Sequence, residues 1–383
     1  MNIRRKLILT SVTWVLIGIS CITLLLQSCQ RERDPLDSTN PEWDNTKDHF
    51  PVYTIGDATY IVKEDGSLWA RGHVFSSFPG TNAKGYTLIE DGVKKIANGN
   101  ISNRLYVLKK DNSVWRSPII SYSEEADFFQ QKTTEKITDN AKDVLTGRNF
   151  AVILKLDGTV WAIGQDTYGQ FGLGVTTNQE LPLIQIAIDV KQIAAGYSNI
   201  YLLKNDNSLW SAGNNIYGKL GYPSTEYQLT FKKVMDDVKI VRATENNVML
   251  VKTDGSAWSF GSNANGNQGI NESSQNPTYP HTIADGVKDV FPMGFTSFYL
   301  KDDGTLWACG SNSYGQMGVA LPQRSLQFIQ IAERVDYMST LSFCTHIIIL
   351  QDKKYRMAGR NRYKELQQSD IESFKTFTDF VMP

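Results

Sequence analysis

The chain is 383 residues long, 41% hydrophobic and 21% charged, with a formal net charge of −1. This is the composition of an ordinary globular protein. With 39 basic and 40 acidic residues it has no global field to draw it onto nucleic acid, so binding driven by net charge is excluded.

The N-terminus reads as a targeting segment. Arg4, Arg5 and Lys6 form a basic start, and Leu7 to Leu26 is almost wholly apolar. The run ends in Leu26-Gln27-Ser28-Cys29, which resembles the lipobox of bacterial lipoproteins. The resemblance implies that residues 1–28 are a signal peptide and that Cys29 is lipidated. Alternatives are plain secretion or an uncleaved anchor, because about 20 apolar residues can cross a bilayer. Gln30 to Phe50 is polar, carries Pro35 and Pro41 and lacks apolar periodicity, so residues 29–50 are expected to be a flexible tether. Position 30 is not Asp, so by the same resemblance there is no obvious inner-membrane retention signal. The expected location is the cell envelope, lipid-anchored at the outer membrane.

From residue 51 onward one short stretch recurs. Its cleanest copy is Asp157-Gly158-Thr159-Val160-Trp161, and the others end at Trp69, Trp115, Trp210, Trp258 and Trp307. A decayed seventh copy begins at Asp352 and carries Arg356 in the Trp place. Successive steps are 46, 46, 49, 48, 49 and 49 residues. A fixed period of this size marks a repeat architecture, so residues 51–383 are expected to form one closed array.

The fourth copy shows the unit. Val190 to Gly196 is a short strand ending in small residues, and Asn199 to Lys204 is a second, apolar strand. Asp206-Asn207 tolerates the positive φ of a hairpin turn. Ser208 to Gly213 alternates as a third strand. A Gly-punctuated loop follows, then a fourth strand containing Phe231 to Val234. Four antiparallel strands per unit, seven times over, predict an all-β, seven-bladed β-propeller with the small-residue strand innermost. The six Trp are expected between neighbouring blades, each worth roughly 3–5 kcal/mol on removal. Asp379-Phe380-Val381-Met382 resembles the start of an inner strand, which predicts that the C-terminus joins the first blade and clasps the ring.

Gly164 to Gly174, Trp210 to Gly221 and Trp307 to Gly318 match the Trp-x-x-Gly-x-Asn-x-x-Gly-Gln-Leu-Gly core of the regulator of chromosome condensation repeat, and Trp258 to Gly269 is a fair copy. Repeats one and two keep the turn and the Trp but lose the Gly-rich loop. The resemblance implies the same seven-bladed fold, and a family whose members act mostly by presenting loops to protein partners.

Catalytic signals are absent from the sequence pattern. The Gly-rich loops lack the strand-to-helix context and Lys-Ser/Thr ending of a phosphate cradle. The four His fall at unlike repeat positions, without metal-ligand spacing. No cofactor, metal or catalytic residue is therefore expected. Cys309 and Cys344 are read as small buried residues rather than a pair. The variable loops after the repeated turn would share one face of the disc, where Phe128, Phe129, Tyr222, Tyr227 and Tyr279 are the candidate partner-binding residues. The expected protein is a non-enzymatic, lipid-anchored monomer that binds a protein, with glycan or small-ligand binding as the alternative and no nucleic acid.

Overall fold

The computed structural model describes residues 52–55, 57–73, 87–98, 104–117, 133, 135–271, 276, 279–320, 322–339, 346–361 and 371–380. Cys29, the tether, Phe128, Phe129 and Cys344 lie outside the described residues.

Seven four-stranded sheets follow one another along the chain, each hydrogen-bonded in strict sequence order. They span 52–90, 93–138, 141–187, 190–235, 238–284, 287–332 and 335–379, and form blades one to seven in that order. Among the described residues the only helical segment is the short turn Ile216–Gly218. The first strands of blades two to six touch in succession, as do those of blades seven and one. In blade four this strand is Val190–Ala195, as the small residues Ala194 and Ala195 predict.

The blades are held by what alternation puts on their two faces. In blade four, Val190, Ile193, Ile200, Leu202 and Trp210 pack against blade three. Ala194, Tyr201, Leu203 and Leu209, one position out of phase, pack against blade five. A pleated strand sends successive side chains to opposite faces, so a strand apolar at both phases fits between two neighbours.

The repeated turn has a fixed internal wiring. Its second residue holds positive φ in every copy: Gly66, Asn112, Gly158, Asn207, Gly255, Gly304 and Lys353. In blade three the Asp157 carboxylate accepts from the Thr159 amide at 2.9 Å and from its hydroxyl at 2.7 Å. That hydroxyl accepts from the Trp161 indole N–H at 3.0 Å. The same Asp to Ser/Thr to Trp relay recurs in blade four, with Trp210 at 2.8 Å from Ser208. A lysine six residues upstream then covers each indole; Lys155 lies 4.8 Å above Trp161 and Lys204 lies 4.9 Å above Trp210. The Trp are half-buried rather than enclosed. They seal the outer part of each seam, so the full core-aromatic value is an upper bound for them.

The third strand ends in a glycine that only glycine can supply. Gly213 holds φ +114, and a Cβ there would sit 2.3 Å from the Ser198 carbonyl oxygen. Gly164, Gly261, Gly310 and Gly359 take the same conformation.

The ring closes otherwise than expected. Ser373–Asp379 is the outer strand of blade seven, paired with the blade's own third strand, Lys354–Arg360. Blade one supplies its own inner strand, Val52–Ile55. No strand is exchanged among the described residues. The two ends meet through side chains: Ile61 and Trp69 of blade one against Ile348, Met357, Phe374 and Phe380. Arg356, in the Trp place of the seventh copy, pairs with Asp379 of the outer strand at 3.6 Å.

Candidate functional site

Because the strands of a blade alternate in direction, loops after the first and third strands emerge at one end and those after the second and fourth at the other. The disc therefore has two unlike faces. The turn face carries the motif aspartates together with Asp139, Asp189, Asp236, Asp237, Asp285 and Glu333. The loop face carries the Gly-rich loops. Described loop residues 166–176, 214–227, 262–271 and 312–320 contain two carboxylates, Asp166, which is 0% exposed, and the exposed Glu226.

The apolar surface is divided just as sharply. Twelve large hydrophobic residues are exposed among the described residues. Leu156 and Ile188 lie in turns of the turn face, and Leu88 lies on an outer strand. The other nine are on the loop face. Leu173 and Val175 come from blade three; Ile216, Tyr217 and Tyr227 from blade four; Tyr279 from blade five. Phe295 and Tyr314 come from blade six and Ile371 from blade seven.

The glycine-rich loops build this face from the repeat itself. The Asn215 side chain accepts from the Leu220 amide at 2.8 Å, folding the loop over Leu220, which is fully buried as a plug between blades. That folding leaves Ile216 and Tyr217 outermost, with Tyr217 at φ 68. Asn312, Met317 and Tyr314 repeat the arrangement in blade six, the amide bond being 2.9 Å.

Three of the five aromatics singled out from the sequence fall among the described residues. Tyr227 and Tyr279 are exposed on this face, at 46% and 63%. The Tyr227 ring meets Tyr168 edge-on at 5.3 Å. Tyr222 does not join them. It packs against the blade-four and blade-five core under Lys232, and burial pushes its hydroxyl well above the ordinary tyrosine range. Tyr217, Phe295 and Tyr314 were not among the sequence candidates. Tyr217 and Tyr314 sit two residues after the loop Asn, and that shared place was the readable signal.

Near the axis on the same face the short loops after the inner strands carry charge. Arg148 lies over the Tyr197 ring at 5.0 Å. Lys219 occupies the place of Gln170 and Gln316 in the neighbouring loops and is 4% exposed. Its ammonium reaches the Ser198 hydroxyl at 3.3 Å and the Glu245 carbonyl and Asn246 side chain at 3.4 Å. Burial lowers it to about 8.

Several inner-strand side chains bond to the next blade. Lys95 pairs with Asp143 at 2.5 Å, and Arg242 holds Asp289 through two bonds of 2.9 and 2.7 Å. Gln192 donates to the Val241 carbonyl at 2.9 Å. These contacts staple blade to blade. Cys309 is a buried free thiol that burial pushes well up. Among the described residues no group of three or more His, Cys, Asp or Glu is placed to hold a metal ion, and no helix is long and apolar enough to cross a membrane.

Fold and surface together define a β-propeller that, among the described residues, carries nine of its twelve exposed large hydrophobics on one face. Profiles of the regulator of chromosome condensation (RCC1) repeat match residues 157–203, 190–219 and 294–316, in blades three, four and six. Those segments are similar to RCC1 repeats. Similar solved structures include yeast RCC1 (Prp20) bound to Kap60, at 16% identity and a TM-score of 0.63, covering 76% of this chain and 75% of that one. Human WBSCR16 matches at 17% identity and TM-score 0.63, covering 78% and 85%. Prp20p from Saccharomyces cerevisiae, described with its binding to Gsp1p and histones, matches at 16% identity and TM-score 0.58, covering 76% and 80%. No curated protein sequence matches the chain.

Proposed function

We propose that this protein is a non-enzymatic docking scaffold that binds a protein partner through the loop face of blades three to six. One observation carries the reading: among the described residues, eight of the twelve exposed large hydrophobics fall on the loop face of those four blades, with tyrosines prominent among them. Contiguous apolar surface rimmed by polar residues is the mark of an interaction site, and tyrosine is enriched in such surfaces. The RCC1-like neighbours support it, since Prp20 is described in complex with Kap60 and as binding Gsp1p and histones.

In this proposal Cys29 carries a lipid, and residues 29–50 tether the propeller to the outer membrane of a cell envelope. The support is the sequence Leu26-Gln27-Ser28-Cys29 after an apolar run. Labelling cells with an alkyne fatty acid tests it: Cys29→Ser abolishes incorporation, and retained label refutes the anchor.

The binding reading is tested by crosslinking in intact envelopes. Wild type, the loop-face variant Tyr217→Ser/Tyr279→Ser and the turn-face variant Leu156→Ser are compared. The expected result is a defined adduct lost only in the loop-face variant. Loss in the turn-face variant alone, or equal yield in all three, overturns the assignment of the face.

A further inference from the structure

The loop of blade three differs from its counterparts at one buried atom. Asn215 and Asn312 each use Oδ1 to accept from the amide five residues on, at 2.8 and 2.9 Å. Each uses Nδ2 to donate to the carbonyl seven residues on, Tyr222 at 3.2 Å and Val319 at 2.8 Å. A second carbonyl accepts the same amide, Ser224 at 2.5 Å and Pro322 at 2.9 Å. The amide thus latches the tip of the loop to its base.

Blade three has Asp166 in that place. Its Oδ1 accepts from the Phe171 amide at 2.9 Å, again five residues on. The backbone turns match as well: Gly169 and Gly172 donate to Asp166 and Gly169, as Gly315 and Gly318 donate to Asn312 and Gly315. The remaining atom, Oδ2, therefore takes the position of Nδ2, with the Leu173 carbonyl as the homologous acceptor. Asp166 is 0% exposed and its Oδ2 has no hydrogen-bond partner. An ionised carboxylate here would set acceptor against acceptor, at a cost that buried unpaired groups cannot recover. Calcium would need six to eight oxygens at about 2.3–2.6 Å, whereas this space is shaped for an amide NH2. A protonated carboxyl is the isostere of that amide and donates in the same direction.

We propose that Asp166 is a proton-dependent latch: as the neutral acid its hydroxyl bonds the loop tip, and on losing the proton it releases the loop carrying Leu173 and Val175. Burial pushes the Asp166 carboxyl up to about 6, against the opposing pull of the Phe171 and Gln170 amides. Charged groups on the surrounding elements are engaged elsewhere. Arg148 lies over Tyr197, and Glu180 bonds Arg104 and Arg116 at 2.8 and 3.1 Å. On the neighbouring outer strand, Lys232 covers Tyr222 and Lys233 pairs with Asp236 at 2.6 Å. Because the loop belongs to the proposed docking face, the same proton would gate partner binding. That consequence rests on the docking reading; the latch itself does not.

Hydrogen exchange of the full chain tests it, with the Asn312 loop, which contains no Asp, Glu, His, Lys or Arg, as internal reference. After correction for intrinsic rates, protection of residues 166–174 relative to 312–320 is expected to fall tenfold or more between pH 5 and pH 8. Asp166→Asn is expected to hold that ratio constant across the range. A wild-type ratio independent of pH overturns the proposal, and this outcome is readable even if the variant fails to fold. A wild-type ratio preserved at pH 8 by added calcium or sodium overturns it in favour of a bound cation.

Discussion

The seam between blades seven and one is the place to test how the ring holds together. Ile61 and Ile153 occupy the same register position, on the second strand and facing the preceding blade, and both are 0% exposed. Replacing either with Ala removes three carbon groups worth about 0.8 kcal/mol each. The unfilled space raises the loss to roughly 2–5 kcal/mol. The two variants should differ in where the damage appears. Ile153 lies between blades two and three, which are covalently consecutive. Ile61 lies at the seam where, among the described residues, the ends meet through side chains and no strand is exchanged. Urea denaturation should show comparable losses for both. Hydrogen exchange should show Ile61→Ala opening the inner strands of blades one and seven before the rest, and Ile153→Ala lowering protection across the molecule. If Ile61→Ala leaves local exchange at blades one and seven no faster than elsewhere, closure by packing alone is refuted.

Trp210→Ala should cost about 2–3 kcal/mol in urea melts, less than an enclosed aromatic, because the ring is half-buried under Lys204. Lys219→Gln restores the residue found at Gln170 and Gln316 and removes a buried ammonium. A lysine lowered to about 8 loses stability as pH falls from its unfolded value through 8, so the variant should be more stable at pH 7, by up to about 3 kcal/mol, and converge with wild type above pH 10. The motif aspartates behave oppositely to Asp166. Hydrogen bonds from the Ser or Thr two residues on hold Asp111, Asp157, Asp206, Asp254 and Asp303 below the usual carboxylate range. Their contribution is present above the unfolded carboxylate value and is lost in stronger acid, so thermal stability should fall below about pH 4. Replacing all five with Asn should flatten that limb.

Much of the fold was readable because repetition makes weak signals add. A single Asp-Gly pair is an ordinary turn; seven Asp-led turns, four of them Asp-Gly, at steps of 46 to 49 residues fix the strands on both sides. The Trp relay was legible as a pattern but not as wiring, since Ser67 and Thr159 look interchangeable until both are seen accepting from an indole. The lysines six residues before each Trp were equally visible, yet their stacking follows from the hairpin register. The C-terminal strand was misplaced because Asp379-Phe380 resembles an inner-strand start locally. Pairing decided otherwise: the third strand of blade seven needed a partner, and Ser373–Asp379 was the adjacent one. Tyr222 misled for a different reason. Sequence position put it in a variable loop, but its ring is partly buried against the core between blades four and five.

Contiguous blades have a consequence for how the molecule comes into being. Every described strand pairs with its immediate predecessor or successor in the chain. Loop-closure entropy grows with the length of chain enclosed, so hairpins this local need little search. Each sheet can assemble from its own segment while later segments are still being made. Only the last seam joins residues from opposite ends, Ile61 with Ile348 and Phe380. The slow event in folding should therefore be a docking of finished surfaces, and until it happens the chain is an open arc with an unprotected apolar blade face at each end.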